Sequence, residues 1–195
     1  SEISMHFDKA YVIGSYDFAP KRLKRFFKDC DSLNLNVSLW PAKYGLNIDT
    51  NKYIKDGYLS DDFKLHMPGS LGCLLSHVTL WEFCCSSKDC NIVLILEDDV
   101  ILNNDFIEQL KSIPWEDVPK DWSIIKLSYK GLIGEPISNS IIKPEPIKQK
   151  GVNAGNWCYL LNTKNVNKLI DIILPYNNQI SLDVIMRNNI EELKI

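Results

Sequence analysis

The sequence predicts an α/β fold, a mostly parallel central sheet flanked by helices. Two observations carry this. Residues 10–14 (Ala-Tyr-Val-Ile-Gly) are a short apolar run ended by glycine, an amphipathic segment follows, and a second strand-like run occupies 36–40. Strand, helix, strand in that order is the signature of a βαβ unit. Residues 91–96 (Asn-Ile-Val-Leu-Ile-Leu) are then almost continuously apolar, the pattern of a central strand buried on both faces.

Pro20 opens the first predicted helix, 21–29, with Leu23, Phe26 and Phe27 on one face. Pro41 stops the strand at 36–40. Residues 43–69 are polar and punctuated by Gly45, Asn47, Gly57 and Pro68, so they read as a long loop, of the kind that is often functional or mobile. Ser70 starts a second helix, in which Leu71, Leu74, Leu75, Val78, Trp81 and Cys85 recur at helical spacing. The strand at 91–96 runs directly into Glu97-Asp98-Asp99. Residues 104–113 predict a short amphipathic helix, 122–127 a strand and 131–150 a surface loop rich in Gly, Pro, Ser and Lys. Residues 156–161 predict a strand, Thr163 caps a helix through 173, and a last helix covers 182–193. With no internal repeat and no linker, residues 1–195 read as a single domain.

Composition narrows the function. A 45% hydrophobic content over 195 residues supports one sizeable core. A net charge of −3 gives no electrostatic case for nucleic acid. The basic run at 21–25 is either a solvated helix face or a phosphate contact. No apolar run reaches the length of a transmembrane span, and the start, Ser1 to His6, lacks the basic and apolar regions of a signal peptide, with earlier processing left open. The six cysteines form no CxxC pair, and His6, His66 and His77 have no zinc-ligand spacing to them. Buried free thiols in a reducing compartment are expected. High Asn, Lys and Ile with few glycines is the usage of AT-rich bacterial or viral genomes. The expected location is therefore cytoplasmic, in a bacterial cytosol or, for a viral protein, in the host's.

Glu97-Asp98-Asp99 is the sharpest feature. Ligands of open α/β sheets bind at the carboxyl ends of the strands. Three adjacent carboxylates repel one another unless a cation or hydrogen-bond donors compensate. In extended chain Glu97 and Asp99 point to the same side, which suits a hard divalent ion, Mn²⁺ or Mg²⁺, completed by substrate phosphates. The bland alternative is an exposed acidic turn. A receiver domain also carries acids after an apolar strand, but it needs a phosphoacceptor Asp after a later strand. The region 142–145 (Ile-Lys-Pro-Glu) offers none, and the first ninety residues would be unexplained.

Several motifs in order resemble glycosyltransferase family 25, the lipooligosaccharide and collagen galactosyltransferase group. Tyr11-Val12-Ile13 with Arg22 and Arg25 resembles the family's opening strand and "R..R" helix, and Trp40-Pro41-Ala42 its "PA". Residues 69–81, G-S-L-G-C-L-L-S-H-V-T-L-W, resemble "GEIGCALSH...W", and residues 94–100, L-I-L-E-D-D-V, resemble "VLEDDV". Asp121-Trp122, residues 155–160 and Leu182-Asp183-Val184 match more loosely. The resemblance implies a GT-A fold with a Rossmann-like sheet. It also implies a metal-dependent transfer, with inversion, of a hexose from a UDP-sugar to a hydroxyl of a glycan or glycoprotein.

Carried onto this chain, the resemblance makes Glu97 and Asp99 the metal ligands, with Glu97 also able to contact the ribose. Asp98 binds the donor sugar or caps the next helix. Ser76 and His77 line the site or pack the helix. Gly14 lets the backbone approach the nucleotide or ends its strand, and Arg22 reaches a phosphate or stays an exposed helix charge. Asp183 is the candidate catalytic base, with a helix N-cap or a metal ligand as its alternatives. The chain departs from many GT-A enzymes in having no histidine after His77 to complete the metal shell. It ends soon after Asp183, so it is also readable as one domain of a longer protein that holds the acceptor. Two other functions compete. A sugar nucleotidyltransferase needs a Gly-rich basic loop after the first strand, and 14–19 (Gly-Ser-Tyr-Asp-Phe-Ala) is not one. A catalytically silent carbohydrate-binding domain would not need its acids intact.

Overall fold

The computed structural model describes residues 7–128, 134–136, 142–144 and 158–189. In chain order its elements are β1 (Lys9–Gly14), α1 (Pro20–Ser32), β2 (Ser38–Pro41), α2 (Thr50–Lys55), α3 (Pro68–Cys85), β3 (Ile92–Glu97), α4 (Phe106–Lys111), β4 (Ile124–Lys126), β5 (Gly134–Pro136), β6 (Ile142–Pro144), β7 (Cys158–Asn162), α5 (Val166–Ile173) and α6 (Leu182–Asn188). The main sheet has the order β2-β1-β3-β7-β4. β1 is parallel to β2 and to β3, as the βαβ reading requires.

The expectation of a mostly parallel sheet needs correcting at the other side. β7 inserts antiparallel between β3 and β4, so the sheet is mixed. Strand direction is set by how the chain returns to the sheet, and an apolar run reads the same in either direction. Because β4 is antiparallel to β7, it runs in the same sense as β1, β2 and β3. Gly14, Pro41, Glu97 and Lys126 therefore all end on one edge of the sheet.

Alternation along each strand divides the core into two layers. Val93 and Ile95 of β3, Tyr159 and Leu161 of β7 and Ile13 of β1 face α3, α5 and α6. Leu94, Leu96, Leu160, Ala10 and Val12 face α1 and Leu110 of α4. α3 is buried almost all round, from Leu71 to Cys84, because the sheet, α5, α6 and the segment after β2 enclose it. At its end Cys85 is exposed while Cys84 is buried, and Cys73 is only half-buried. The expectation of uniformly buried thiols therefore holds for Cys30, Cys84, Cys90 and Cys158 alone.

Residues 43–69 are more structured than their polarity suggests. They contain a 3-10 turn at Gly45–Asn47 and the helix α2, whose N-cap Asp49 accepts from the Lys52 amide. The segment is also tied down at its end. Buried Asn178 accepts from the amides of His66 and Met67 and donates to the Met67 carbonyl, fixing the entry to α3. Two strands, β5 and β6, pair antiparallel within the region read as a surface loop, and the rest of that region lies outside the described residues. Thr163 is not a helix cap: its hydroxyl donates to the carbonyls of Cys90 and Asn91, and Asn165 holds the N-cap position of α5. The last helix is described only to Asn188, so its predicted extension to 193 lies outside the described residues.

Candidate functional site

The chain leaves β1 toward β2 on one side and later returns to β3 on the other, so the carboxyl ends of β1 and β3 flank a switch point, where open α/β sheets bind ligands. A cavity of about 390 Å³ opens there. Gly14, Arg22, Ser76, His77, Glu97 and Asp98 all line it. Asp99 and Asp183 are not among its lining residues, but both lie near enough to Cys73 for their charges to act on its thiol.

The period of two in β3 distributes the acids. Glu97 turns toward α3, where Oε1 meets His77 Nε2 at 3.1 Å and Cys73 Sγ at 3.9 Å. Asp98 turns toward α1 and pairs with Arg22, Oδ1 to Nε 3.0 Å. Asp98 is almost fully buried, whereas half of the Arg22 side chain remains exposed. Solvent around the guanidinium screens the attraction; the effect of the pair here is to hold the guanidinium beside the cavity. Arg25 reaches past it, donating to the carbonyls of Asp98 and Val100. The "R..R" spacing thus gives one arginine to a side chain and the other to the backbone of the acidic turn.

Two close approaches shape the walls. Asp98 packs on Gly14, where a Cβ would lie 3.0 Å from Asp98 Oδ2 and 3.1 Å from Leu23 Cδ1. A side chain there would press on the buried carboxylate and on Leu23, so the glycine serves the packing of Asp98 as well as any ligand. On the other wall a Cβ on Gly72 would fall 2.4 Å from the Lys43 carbonyl, so only glycine lets the segment after β2 lie against α3. Ser76 stitches the same seam: its hydroxyl accepts from the Lys43 amide at 2.8 Å and donates to the Gly72 carbonyl at 2.6 Å. Exposed Tyr44 and Leu46 line the opening, and exposed Phe18 packs its ring, tilted, against Tyr44.

Behind the site lies one residue that sequence reasoning did not single out, Tyr159. His77 is buried and bonded through Nδ1 to the Tyr159 hydroxyl at 2.6 Å, which also meets Trp81 Nε1 at 2.8 Å. Tyr159 lies on β7, about eighty residues from His77, and no sequence pattern links them. Burial pushes the Tyr159 hydroxyl well above its ordinary range. Trp81 was visible in the sequence as part of the apolar helical stripe and as the tryptophan that closes the motif at 69–81, but with no partner assigned to it.

Asp183, half-buried, stands in the first turn of α6, two residues beyond the N-cap Ser181, whose hydroxyl donates to its carboxylate. The N-cap alternative is therefore excluded. Lys126 at the end of β4 is half-buried and its ammonium is pushed down to about 8, by burial first; the Asp183 carboxylate opposes the shift and Arg187 adds to it. Its depressed value fixes a sign. Between about pH 8 and the ordinary lysine range the unfolded chain binds this proton and the folded one does not, so folding stability rises with pH across that window. Lys126→Met is expected to flatten this rise in urea-unfolding free energies measured from pH 7 to 10.5; an unchanged slope would show that Lys126 is not the group responsible.

Two sets of groups could hold a metal ion. One is Glu97 with Asp99. Asp98 has its arginine and Glu97 its histidine, but among the described residues no cation lies within salt-bridge distance of Asp99. Its carboxyl is pushed above the ordinary aspartate range, by desolvation first and then by the Glu97 charge. This donor set, hard oxygens with a residual repulsion between them, fits Mn²⁺ or Mg²⁺. The other set is Cys73, His77 and Glu97, whose ligand atoms all lie within 4.8 Å of one another.

Comparison with known proteins places the chain in a family. The sequence model described as glycosyltransferase family 25 (LPS biosynthesis protein) matches residues 7–186, a span that runs from β1 into α6. A relative named "Glycosyltransferase 25 family member", from Aedes aegypti, is 26% identical over 162 residues, 78% of this chain. The chain spans only 26% of that relative's length. Among the described residues no helix is long and apolar enough to cross a membrane. The matched span takes in the cavity-lining residues of β1, α1, α3 and β3 as well as Asp99 and Asp183, and on that ground the chain belongs to glycosyltransferase family 25.

Proposed function

We propose that this domain binds the donor of a metal-dependent hexosyltransferase of GT-A type, which moves a hexose from a UDP-sugar to a hydroxyl of a glycan or glycoprotein with inversion. The observation that carries the reading is the cavity at the β1–β3 switch point, with carboxylates at its floor and a half-exposed guanidinium beside them. Glu97 and Asp99 would hold Mn²⁺ or Mg²⁺, which when bound neutralises the diphosphate and stabilises it as leaving group. Arg22, aimed by Asp98, supplies the protein's own positive charge to a phosphate. Gly14 and Ser76 form walls rather than polar contacts, since the Ser76 hydroxyl is already used twice. Asp183 would take the proton from the acceptor hydroxyl.

The nucleotidyltransferase alternative loses ground on the turn after β1. There Ser15 Oγ accepts from the amides of Asp17 and Phe18, so these donors are engaged with the turn itself rather than presented as a phosphate cradle.

A thermal-shift titration with UDP, in the presence and absence of Mn²⁺, tests the reading. At a hundredfold excess over Kd, ligand linkage adds about 2.7 kcal/mol. For a chain of this size that raises Tm by roughly 5–10 °C. The rise should require the metal. Equal shifts with and without Mn²⁺, or none with UDP, would overturn the assignment.

A further inference from the structure

We propose that Trp81, Tyr159 and His77 form a one-way hydrogen-bond relay that fixes His77 as a neutral imidazole with its proton on Nε2, a positioning residue that donates to Glu97 and does not bind metal. The directions follow from counting hydrogens. An indole N–H can only donate, so at 2.8 Å Trp81 Nε1 gives its hydrogen to the Tyr159 oxygen. The phenol has one hydrogen of its own, and among the described residues its other partner is His77 Nδ1, at 2.6 Å. Tyr159 is fully buried, so that hydrogen cannot turn to solvent. Nδ1 must then be the acceptor. The ring proton is left to Nε2, which faces Glu97 Oε1 at 3.1 Å.

This assignment decides between the two metal-holding sets. Cys73, His77 and Glu97 have ligand atoms close enough to surround a soft cation. Such an ion would need the Nε2 lone pair, which moves the ring proton to Nδ1 and strands the buried phenolic hydrogen without an acceptor, a costly arrangement. The relay therefore opposes a Cys-His-Glu metal centre. It also divides the carboxylate of Glu97. Oε1 receives the His77 N–H and, at 3.9 Å, the Cys73 thiol, both from one face of α3, four residues apart. Oε2 has no donor among the described residues and is the oxygen left for a ligand. The missing downstream histidine is thus not replaced by His77. What His77 supplies is an oriented donor behind the metal-facing acid, an arrangement of the kind that tunes metal sites elsewhere.

The deciding measurement is long-range ¹H–¹⁵N spectroscopy on histidine-labelled protein with neither metal nor nucleotide. His77, assigned by its loss in His77→Gln, should show a pyrrole-type Nε2 and a pyridine-type Nδ1. A pyrrole-type Nδ1, alone or with Nε2, overturns the relay. This arm is independent of the transferase reading, which fails separately if the parent binds no Mn²⁺ and no UDP. The second arm rests on that reading and uses Mn²⁺ binding followed by paramagnetic resonance. His77→Leu should weaken Mn²⁺ by roughly 10–100-fold, and His77→Gln, whose amide can still donate to Glu97, should recover most of that loss. If glutamine loses as much as leucine, His77 is a ligand rather than a donor and the proposal is wrong. Should either variant fail to fold, the spectrum of the parent decides alone, with His77 assigned by elimination through His6→Gln and His66→Gln.

Discussion

Replacing Asp99 by asparagine is expected to abolish Mn²⁺-dependent UDP binding and leave the fold intact. Glu97 has one oxygen engaged by His77 and Cys73, and Asp98 is taken by Arg22. Asp99 is then the acid with the least compensation from the protein, exposed at the edge of the sheet, and its charge is the one a cation would satisfy most completely. Loss of an outer partner of a metal ligand costs roughly 10–100-fold in affinity; loss of the ligand itself should exceed the upper end of that range. The metal-free protein should respond in the opposite direction. Desolvation and the Glu97 charge raise the Asp99 pKa, so the ionised carboxylate opposes folding above the ordinary aspartate range, and that penalty disappears as pH falls and the group binds its proton. Without metal, Asp99→Asn should therefore unfold at the same or a slightly higher temperature than the parent at pH 7, with the two converging toward pH 3. Calorimetric titration and melting curves read both effects. A variant that binds UDP as tightly as the parent, with the same Mn²⁺ dependence, removes Asp99 from the metal site.

Turnover should fall by roughly 10²–10⁴-fold in Asp183→Asn, the range set by loss of a general base, with UDP and Mn²⁺ affinity near the parent values. Asparagine keeps the size and can still accept from Ser181, so α6 should survive. The neighbouring lysine provides an internal control. Asp183 opposes the downward shift of Lys126, and removing the charge should depress the Lys126 pKa further whatever the catalytic role. Three results separate the possibilities. Lost turnover with intact Mn²⁺ binding identifies the base. Weakened Mn²⁺ binding identifies a metal ligand. A shifted Lys126 with unchanged turnover and metal affinity makes Asp183 a counter-charge only, and the base must then be sought elsewhere.

Much of the site was legible in the sequence because it depends on local periodicity. The apolar run of β3 ending in Glu97-Asp98-Asp99 placed the acids at the strand edge, and alternation sent Glu97 and Asp98 to opposite layers. Arg22 and Arg25 lie one helical turn apart, so both could reach the same acidic turn. Polar segments were harder. The stretch 43–69 was read as a loop, yet it holds a helix capped by Asp49 and is clamped by Asn178, more than a hundred residues away.

By itself the sequence determined the α/β class, the parallel β1-β2-β3 half of the sheet, the edge where the cavity opens and the family. Each of these follows from patterns within one element or between neighbours along the chain. Only the tertiary structure decided the antiparallel insertion of β7, the pairing of Asp98 with Arg22, the close seam at Gly72 and the meeting of Tyr159 with His77 and Trp81. Those depend on which strands become neighbours and on which buried donors find acceptors, and both are settled when the layers pack, because an unpaired polar group inside the core is too costly to leave.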